Sequence, residues 1–103
     1  MKELNVLRAL AALSQAKRLR AFRMLVVAGT RGATPTMIAK RLKVSQATLS
    51  FHLKELVQAG LATQERMGRH LVYRADFQRM DALLGYLMRN CCQSGACDTP
   101  PRA

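Results

Sequence analysis

The stretch Thr34-Pro35-Thr36-Met37-Ile38-Ala39-Lys40-Arg41-Leu42-Lys43-Val44-Ser45-Gln46-Ala47-Thr48-Leu49-Ser50-Phe51-His52-Leu53-Lys54-Glu55-Leu56-Val57-Gln58-Ala59-Gly60 decides the fold. Thr34 is an N-cap residue and Pro35 stands at a first helical position, where its missing N–H costs nothing. Met37, Ile38, Ala39 and Leu42 then give a short helix an apolar face. A tight turn at Lys43-Val44 leads to Ser45, a second cap. Leu49, Leu53, Leu56 and Val57 form the buried stripe of a longer helix that Gly60 ends. Two short helices joined by so tight a turn make a helix-turn-helix.

The flanks extend this unit. Downstream, Leu61–Arg66 and Leu71–Ala75 read as two strands around the turn Met67-Gly68-Arg69-His70, which is a hairpin or wing. From Asp76 a last helix carries Phe77, Met80, Leu84, Leu87 and Cys91 at spacings of three and four. Upstream, Leu4, Leu7, Leu10, Ala11 and Leu13 fit a helix over 3–14. Ser14 caps a second helix over 15–28 that turns Leu19, Phe22, Leu25 and Val26 inward and stops at Gly29. The order is helix, helix, helix-turn-helix, hairpin, helix. The fold class is therefore mainly α with a small β-hairpin (α+β), a winged helix-turn-helix with extra helices at both ends. One domain over 1–92 is expected, followed by a tail over 93–103 that carries Cys97. The apolar stripes on the first helix (Leu4, Leu7) and the last (Phe77, Met80, Leu84, Leu87) can pack within one subunit or across a two-fold axis.

The chain of 103 residues carries 17 Lys and Arg against 6 Asp and Glu, a formal net charge of +11. Such an excess suits a polyanionic partner, because clustered cations release the counterions of nucleic acid. The helix from Gln46 presents short polar side chains fit for a major groove. Gln46 can pair with adenine edges, and Thr48 and Ser50 allow close approach. Phe51 can meet a thymine methyl or pack on the domain. His52, Lys54 and Lys43 can reach phosphates, with Lys40 and Arg41 beside them. Ser45 is a cap that can also make a contact. Arg66, Arg69 and His70 form a basic wing tip suited to a narrow minor groove, or else a solvated turn.

No run approaches the roughly 18 apolar residues of a membrane span. Arg8 interrupts the N-terminal apolar run, which therefore reads as a helix and not a signal peptide. The chain is read as soluble and cytoplasmic, without membrane contact. It shows no acid/base pair, activated nucleophile or phosphate-binding glycine loop, so no enzyme is expected. Its 3 cysteines are Cys91, Cys92 and Cys97. In a reducing compartment, clustered thiols read as a soft-metal or redox site. Three thiolates suit the pyramidal geometry of trivalent arsenic, whereas zinc takes four ligands and only Asp98 lies nearby. A redox or persulfide switch, another soft metal, and incidental tail cysteines are the other readings.

The segment Ser45–Leu56, followed by Ala59-Gly60-Leu61 and by Arg66-Met67-Gly68-Arg69-His70-Leu71-Val72-Tyr73, closely resembles the signature of the ArsR/SmtB family over residues 4–90. The resemblance implies a homodimeric repressor of double-stranded operator DNA that leaves its site when an inducer, usually a metal or metalloid ion, binds. It favours the two-fold reading of the apolar stripes. The family's Cys-Val-Cys arsenic pair is absent from the helix Pro35–Leu42. The Asp-x-His of its zinc sensors is replaced by Asp76-Phe77-Gln78, and His52 and His70 both lie in the reading half. The chain looks like the arsenic-responsive subgroup whose thiols cluster at the C-terminal end of the last helix. The resemblance thus assigns arsenite, or antimonite, to Cys91, Cys92 and Cys97. A winged helix that binds RNA or protein around a structural metal is the alternative of a different class.

Overall fold

The computed structural model describes residues 1–91. Its elements are α1 (Glu3–Leu13), α2 (Ala16–Ala28), a single 3-10 turn (Gly29–Arg31), α3 (Pro35–Leu42), α4 (Gln46–Gln58), β1 (Ala62–Met67), β2 (His70–Ala75) and α5 (Phe77–Met88). This is the winged helix-turn-helix expected from the sequence. Cys92, Cys97 and the tail over 93–103 lie outside the described residues.

The caps explain most of the boundaries. Thr34 Oγ1 accepts from Met37 N, Ser45 Oγ from Thr48 N, and Asp76 Oδ1 from Arg79 N, each satisfying a backbone donor that the first turn leaves open. The expected cap at Ser14 is corrected. Gln15 caps α2, its side chain accepting from Arg18 N at 2.8 Å, while the Ser14 hydroxyl donates back to Ala11 O at the end of α1. Between α3 and α4 the chain turns through Lys43 in the left-handed region (φ 57°), with Val44 N donating to Ala39 O. A non-glycine residue there costs about 1–2 kcal/mol, which the surrounding contacts must offset.

The core lies under the helix-turn-helix. Leu25, Ile38, Leu49, Leu53, Leu56 and Leu61 are fully buried, joined by Phe22 and Tyr73. Each large side chain so buried contributes about 1.5–3 kcal/mol. Two inward assignments fail: Leu19 and Met37 are exposed. Both lie at the edge of a stripe whose centre the shorter Ala21 and Ala39 fill at close packing.

β1 and β2 pair antiparallel in the register Ala62↔Ala75 to Met67↔His70. Only Gly68 and Arg69 form the turn, and Gly68 takes φ 63° at its first position. A glycine there matches the turn to the right-handed twist of the strands. Ala33 adds a one-residue third rung to the wing, donating to and accepting from Tyr73 at 2.9 Å each way. Arg74 Nε donates to Thr30 O at 2.8 Å and fixes the same loop.

The terminal helices behave differently. α1 buries Val6, Ala9 and Ala12 and leaves Leu4, Leu7 and Leu10 exposed. α5 buries only Leu83 and exposes Phe77, Leu84, Leu87 and Met88, with Met80 half-buried. The expectation that the last helix carries Cys91 is corrected. The helix stops at Met88, and Asn90 takes φ 63° in the turn beyond it. Cys91 is therefore an exposed residue on that turn, its N–H donating to Met88 O.

Candidate nucleic-acid interface

α4 has two unlike faces. Leu49, His52, Leu53 and Leu56 point into the core at spacings of three and four. Gln46, Ala47, Thr48, Ser50, Phe51 and Lys54 are left on the exposed side. Apart from Gln46, Phe51 and Lys54 these side chains are short, so a groove edge can approach the backbone closely. Ser45 is also exposed; besides capping the helix it donates through Oγ to Thr48 Oγ1 at 2.9 Å. Basic side chains surround this face. Lys40, Arg41 and Lys43 stand at the helix-turn-helix turn, and Arg66, Arg69 and His70 at the tip of the wing, all exposed. The one ion pair among the described residues joins Arg74 to Glu65 on the wing, so the other wing and turn cations are not neutralised by acids. That leaves a field suited to phosphate.

One expected contact is corrected. His52 is 6% exposed and faces inward, so it does not reach outward toward a phosphate. Its position in the stripe, three residues after Leu49 and four before Leu56, dictates this. Its Nδ1 accepts from Arg18 Nε at 3.4 Å, a weak bond. Burial first, and the Arg18 charge second, lower its pKa below the ordinary histidine value.

Arg18 is the residue that sequence reading missed. From the first turn of α2 its guanidinium carbon sits 5.5 Å from the centroid of the Phe51 ring. It also donates through Nη1 to Ala12 O at 3.4 Å. One α2 side chain thus touches the end of α1 and both members of the Phe51-His52 pair. Phe51 remains 55% exposed: one face meets the guanidinium, and much of the ring stays available to a partner. Nothing in the periodicity of α2 marks Arg18, since a cation at a helix edge normally faces water.

The His52 environment gives a pH prediction. The unfolded chain takes up a proton as pH falls through about 6.5, whereas the folded chain resists it. Stability is therefore retained above that value and declines as pH falls from it toward the lower folded pKa. In His52→Gln this part of the decline should vanish. Urea midpoints of the two proteins at pH 7.5 and pH 5 check it, and equal losses in both would contradict it.

Cys91 is the one candidate metal ligand among the described residues, and among these no three His, Cys, Asp or Glu side chains gather to hold a metal ion. Its expected partners Cys92 and Cys97 lie outside them. The apolar residues Leu4, Leu7, Phe77, Leu84 and Leu87 stand exposed on α1 and α5. Among the described residues no helix is long and apolar enough to cross a membrane.

Comparison with known proteins agrees with this geometry. A family model described as a helix-turn-helix domain matches residues 13–65. The uncharacterized HTH-type transcriptional regulator YbzH of Bacillus subtilis is 34% identical over 58 residues, which are 56% of this chain and 58% of that protein. An ArsR-like transcriptional regulator from Rhodococcus sp. RHA1 superposes with a TM-score of 0.76 at 26% identity, covering 88% of this chain and 83% of that one. A structure described as a "possible transcriptional regulator for arsenical resistance" gives a TM-score of 0.66 at 30% identity over 77% and 79% of the two chains. The matched segment runs from the end of α1 through the helix-turn-helix into the wing, the part whose core and reading face are described above: the chain belongs to the helix-turn-helix domain family, in the winged form of the ArsR-like transcriptional regulators.

Proposed function

We propose that this chain is a dimeric repressor that grips duplex DNA through α4 and the wing and lets go when Cys91, Cys92 and Cys97 bind trivalent arsenic. The observation that carries the DNA half is the division of α4: an apolar face locked in the core, and a short, polar outward face ringed by exposed cations. A helix built this way offers Gln46, Thr48 and Ser50 to base edges, while Lys43, Lys54 and Arg69 position it on phosphates. The similarity to ArsR-like regulators supports the same reading.

A duplex selected by the purified protein from a random pool supplies the probe. Fluorescence anisotropy against salt should give a linear log–log decline in affinity. Arg69→Ala should weaken binding for all duplexes alike and reduce the slope by about 1. Gln46→Ala should instead flatten the preference at one base pair, at about 1–3 kcal/mol. An unchanged slope and unchanged preference in the two variants would refute the assigned face.

The arsenic half is supported by the chemistry of the donor set and by the similarity to a possible transcriptional regulator for arsenical resistance. Three thiolates match the pyramidal preference of the trivalent ion, whose lone pair takes the fourth direction. Cys91, exposed one turn beyond α5, is placed next to a helix that carries much of the exposed apolar surface. Binding of the metalloid and binding of DNA then oppose each other through one coupling free energy, typically about 1–3 kcal/mol. Arsenite should release the duplex from the reduced protein. Cys91→Ser, Cys92→Ser and Cys97→Ser should each keep DNA binding and lose the release. Release by mild peroxide without arsenite would replace the metalloid with a redox switch, and release in all three variants would remove the thiols from the mechanism.

A further inference from the structure

An open cleft of about 420 Å³ lies between α1 and the C-terminal half of α4, lined by Arg8, Ala12, Arg18, Glu55 and Gln58. That volume is in the range of small-molecule sites. Its distinctive feature is a pair of guanidinium groups that form no ion pair among the described residues. Arg18 is half-buried, and the two hydrogen bonds of its guanidinium, to His52 Nδ1 and Ala12 O, are both 3.4 Å long and go to uncharged acceptors. Charge-assisted bonds to a carboxylate run shorter, at about 2.7–2.9 Å, and are roughly twice as strong. Among the described residues neither Arg8 nor Arg18 forms an ion pair, although Glu55 lines the same cleft. Apart from the Phe51 ring, the guanidinium of Arg18 thus meets only weak acceptors at the edge of this cleft.

We propose that this cleft binds a small organic monocarboxylate through Arg18 and Arg8, and that the ligand draws Arg18 away from Phe51 and His52. Two guanidinium groups favour a planar carboxylate, which can take two parallel N–H donors from one of them. Glu55 sets the charge limit. Its carboxylate repels a dianion, and together with the Gln58 amide it rewards a ligand whose other end carries an O–H or N–H donor. Hydroxy acids and amino acids have that form. The consequence follows from the contacts of Arg18: it is the side chain that joins the end of α1 to the ring on the outward face of α4. A ligand that takes over its donors leaves Phe51 without its cation, and the reading face changes on the helix that carries Gln46 and Thr48. This coupling rests on the DNA-reading assignment above; the binding site itself does not.

The test uses the full chain without DNA. Its arginine Nε–H signals are followed by NMR during titration with acetate, L-lactate and L-alanine, with sodium chloride and inorganic phosphate at matched ionic strength. Arg18 should show a saturable shift with at least one of the three carboxylates. The apparent affinity should fall about ten-fold in Arg8→Gln, and Glu55→Gln should raise it for acetate while lowering it for L-alanine, whose ammonium loses its partner; a general change of charge would not lower it for L-alanine. Shifts no larger than those of chloride, or affinities that both variants leave unchanged, would overturn the site. Saturation by phosphate to the same extent would overturn the carboxylate class. The selected duplex then separates the two layers. Saturable binding that leaves the DNA affinity unchanged would end the coupling and keep the cleft. A protein that binds carboxylate and no duplex would end the DNA assignment instead.

Discussion

Gly32→Ala should destabilise the chain by roughly 3 kcal/mol or more, seen as a lower urea midpoint with the slope unchanged. Gly32 sits between the 3-10 turn and α3 with φ 72°, where an L side chain costs about 1–2 kcal/mol. The larger cost is steric. A Cβ on Gly32 would lie 2.6 Å from Tyr73 O, 2.7 Å from Val72 Cγ1 and 2.9 Å from Arg74 Cγ. The first of these is backbone and cannot rotate away. Its carbonyl already accepts from Ala33 N at 2.9 Å, in the rung that joins the helix-turn-helix to the wing. Relief would require β2 to move off that loop, breaking the two bonds between Ala33 and Tyr73 and straining that of Arg74 to Thr30 O. Gly68 is the control. It has a similar φ of 63° but nothing within 4 Å of its Cβ position, so Gly68→Ala should cost only the conformational part, about 1–2 kcal/mol. Equal losses in the two variants would show that the close approach of loop and wing is not what Gly32 provides.

Gly32 also marks the boundary of what the sequence makes legible. Turn formers over 29–35 announce a loop, and Thr34-Pro35 announces the helix after it. Nothing local says that the loop presses on a strand some forty residues later. The same division holds elsewhere. Ser45, the Leu49–Leu53–Leu56 stripe and the Gly68 turn are local signals, and each appears where periodicity and cap chemistry put it. The errors come from pairings at a distance. His52 looks like a polar residue on a reading helix, but the stripe it belongs to rotates it inward, and only Arg18, 34 residues earlier, gives its ring a partner. Leu19 looks like core because it is apolar and correctly spaced, yet it lies at the edge of its stripe and stays exposed, whereas Phe77, read as able to face a second copy, is exposed on α5. Ser14 and Gln15 were equally placed to cap α2, and the longer side chain reached Arg18 N while the hydroxyl turned back to α1.

The uncovered faces lead to the second large effect. Leu7→Lys should turn the protein into a folded monomer and weaken its binding to a two-half-site duplex by about 10²–10⁴-fold. Leu7 is 57% exposed, so a lysine there adds little strain to the subunit's own core, which α1 reaches through Val6, Ala9 and Ala12. What the charge opposes is the cover of the apolar side chains left exposed on two neighbouring helices: Leu4, Leu7 and Leu10 on α1, with Phe77, Leu84, Leu87 and Met88 on α5. Apolar patches of this extent on a small domain ordinarily meet another protein surface, and a self-complementary one meets its own copy across a two-fold axis. Dimerisation also matters for grip. Two reading helices tied together engage the second half-site at an effective concentration near the millimolar range, and a monomer loses that advantage without losing a single contact of its own. Val27→Lys on α2 is the matched control, being 78% exposed and off that surface; it should stay dimeric and keep its DNA affinity. Sedimentation velocity and anisotropy on the three proteins decide the matter. A dimeric Leu7→Lys would move the interface away from α1, and a monomeric one that still bound the duplex at full strength would show that a single reading head suffices.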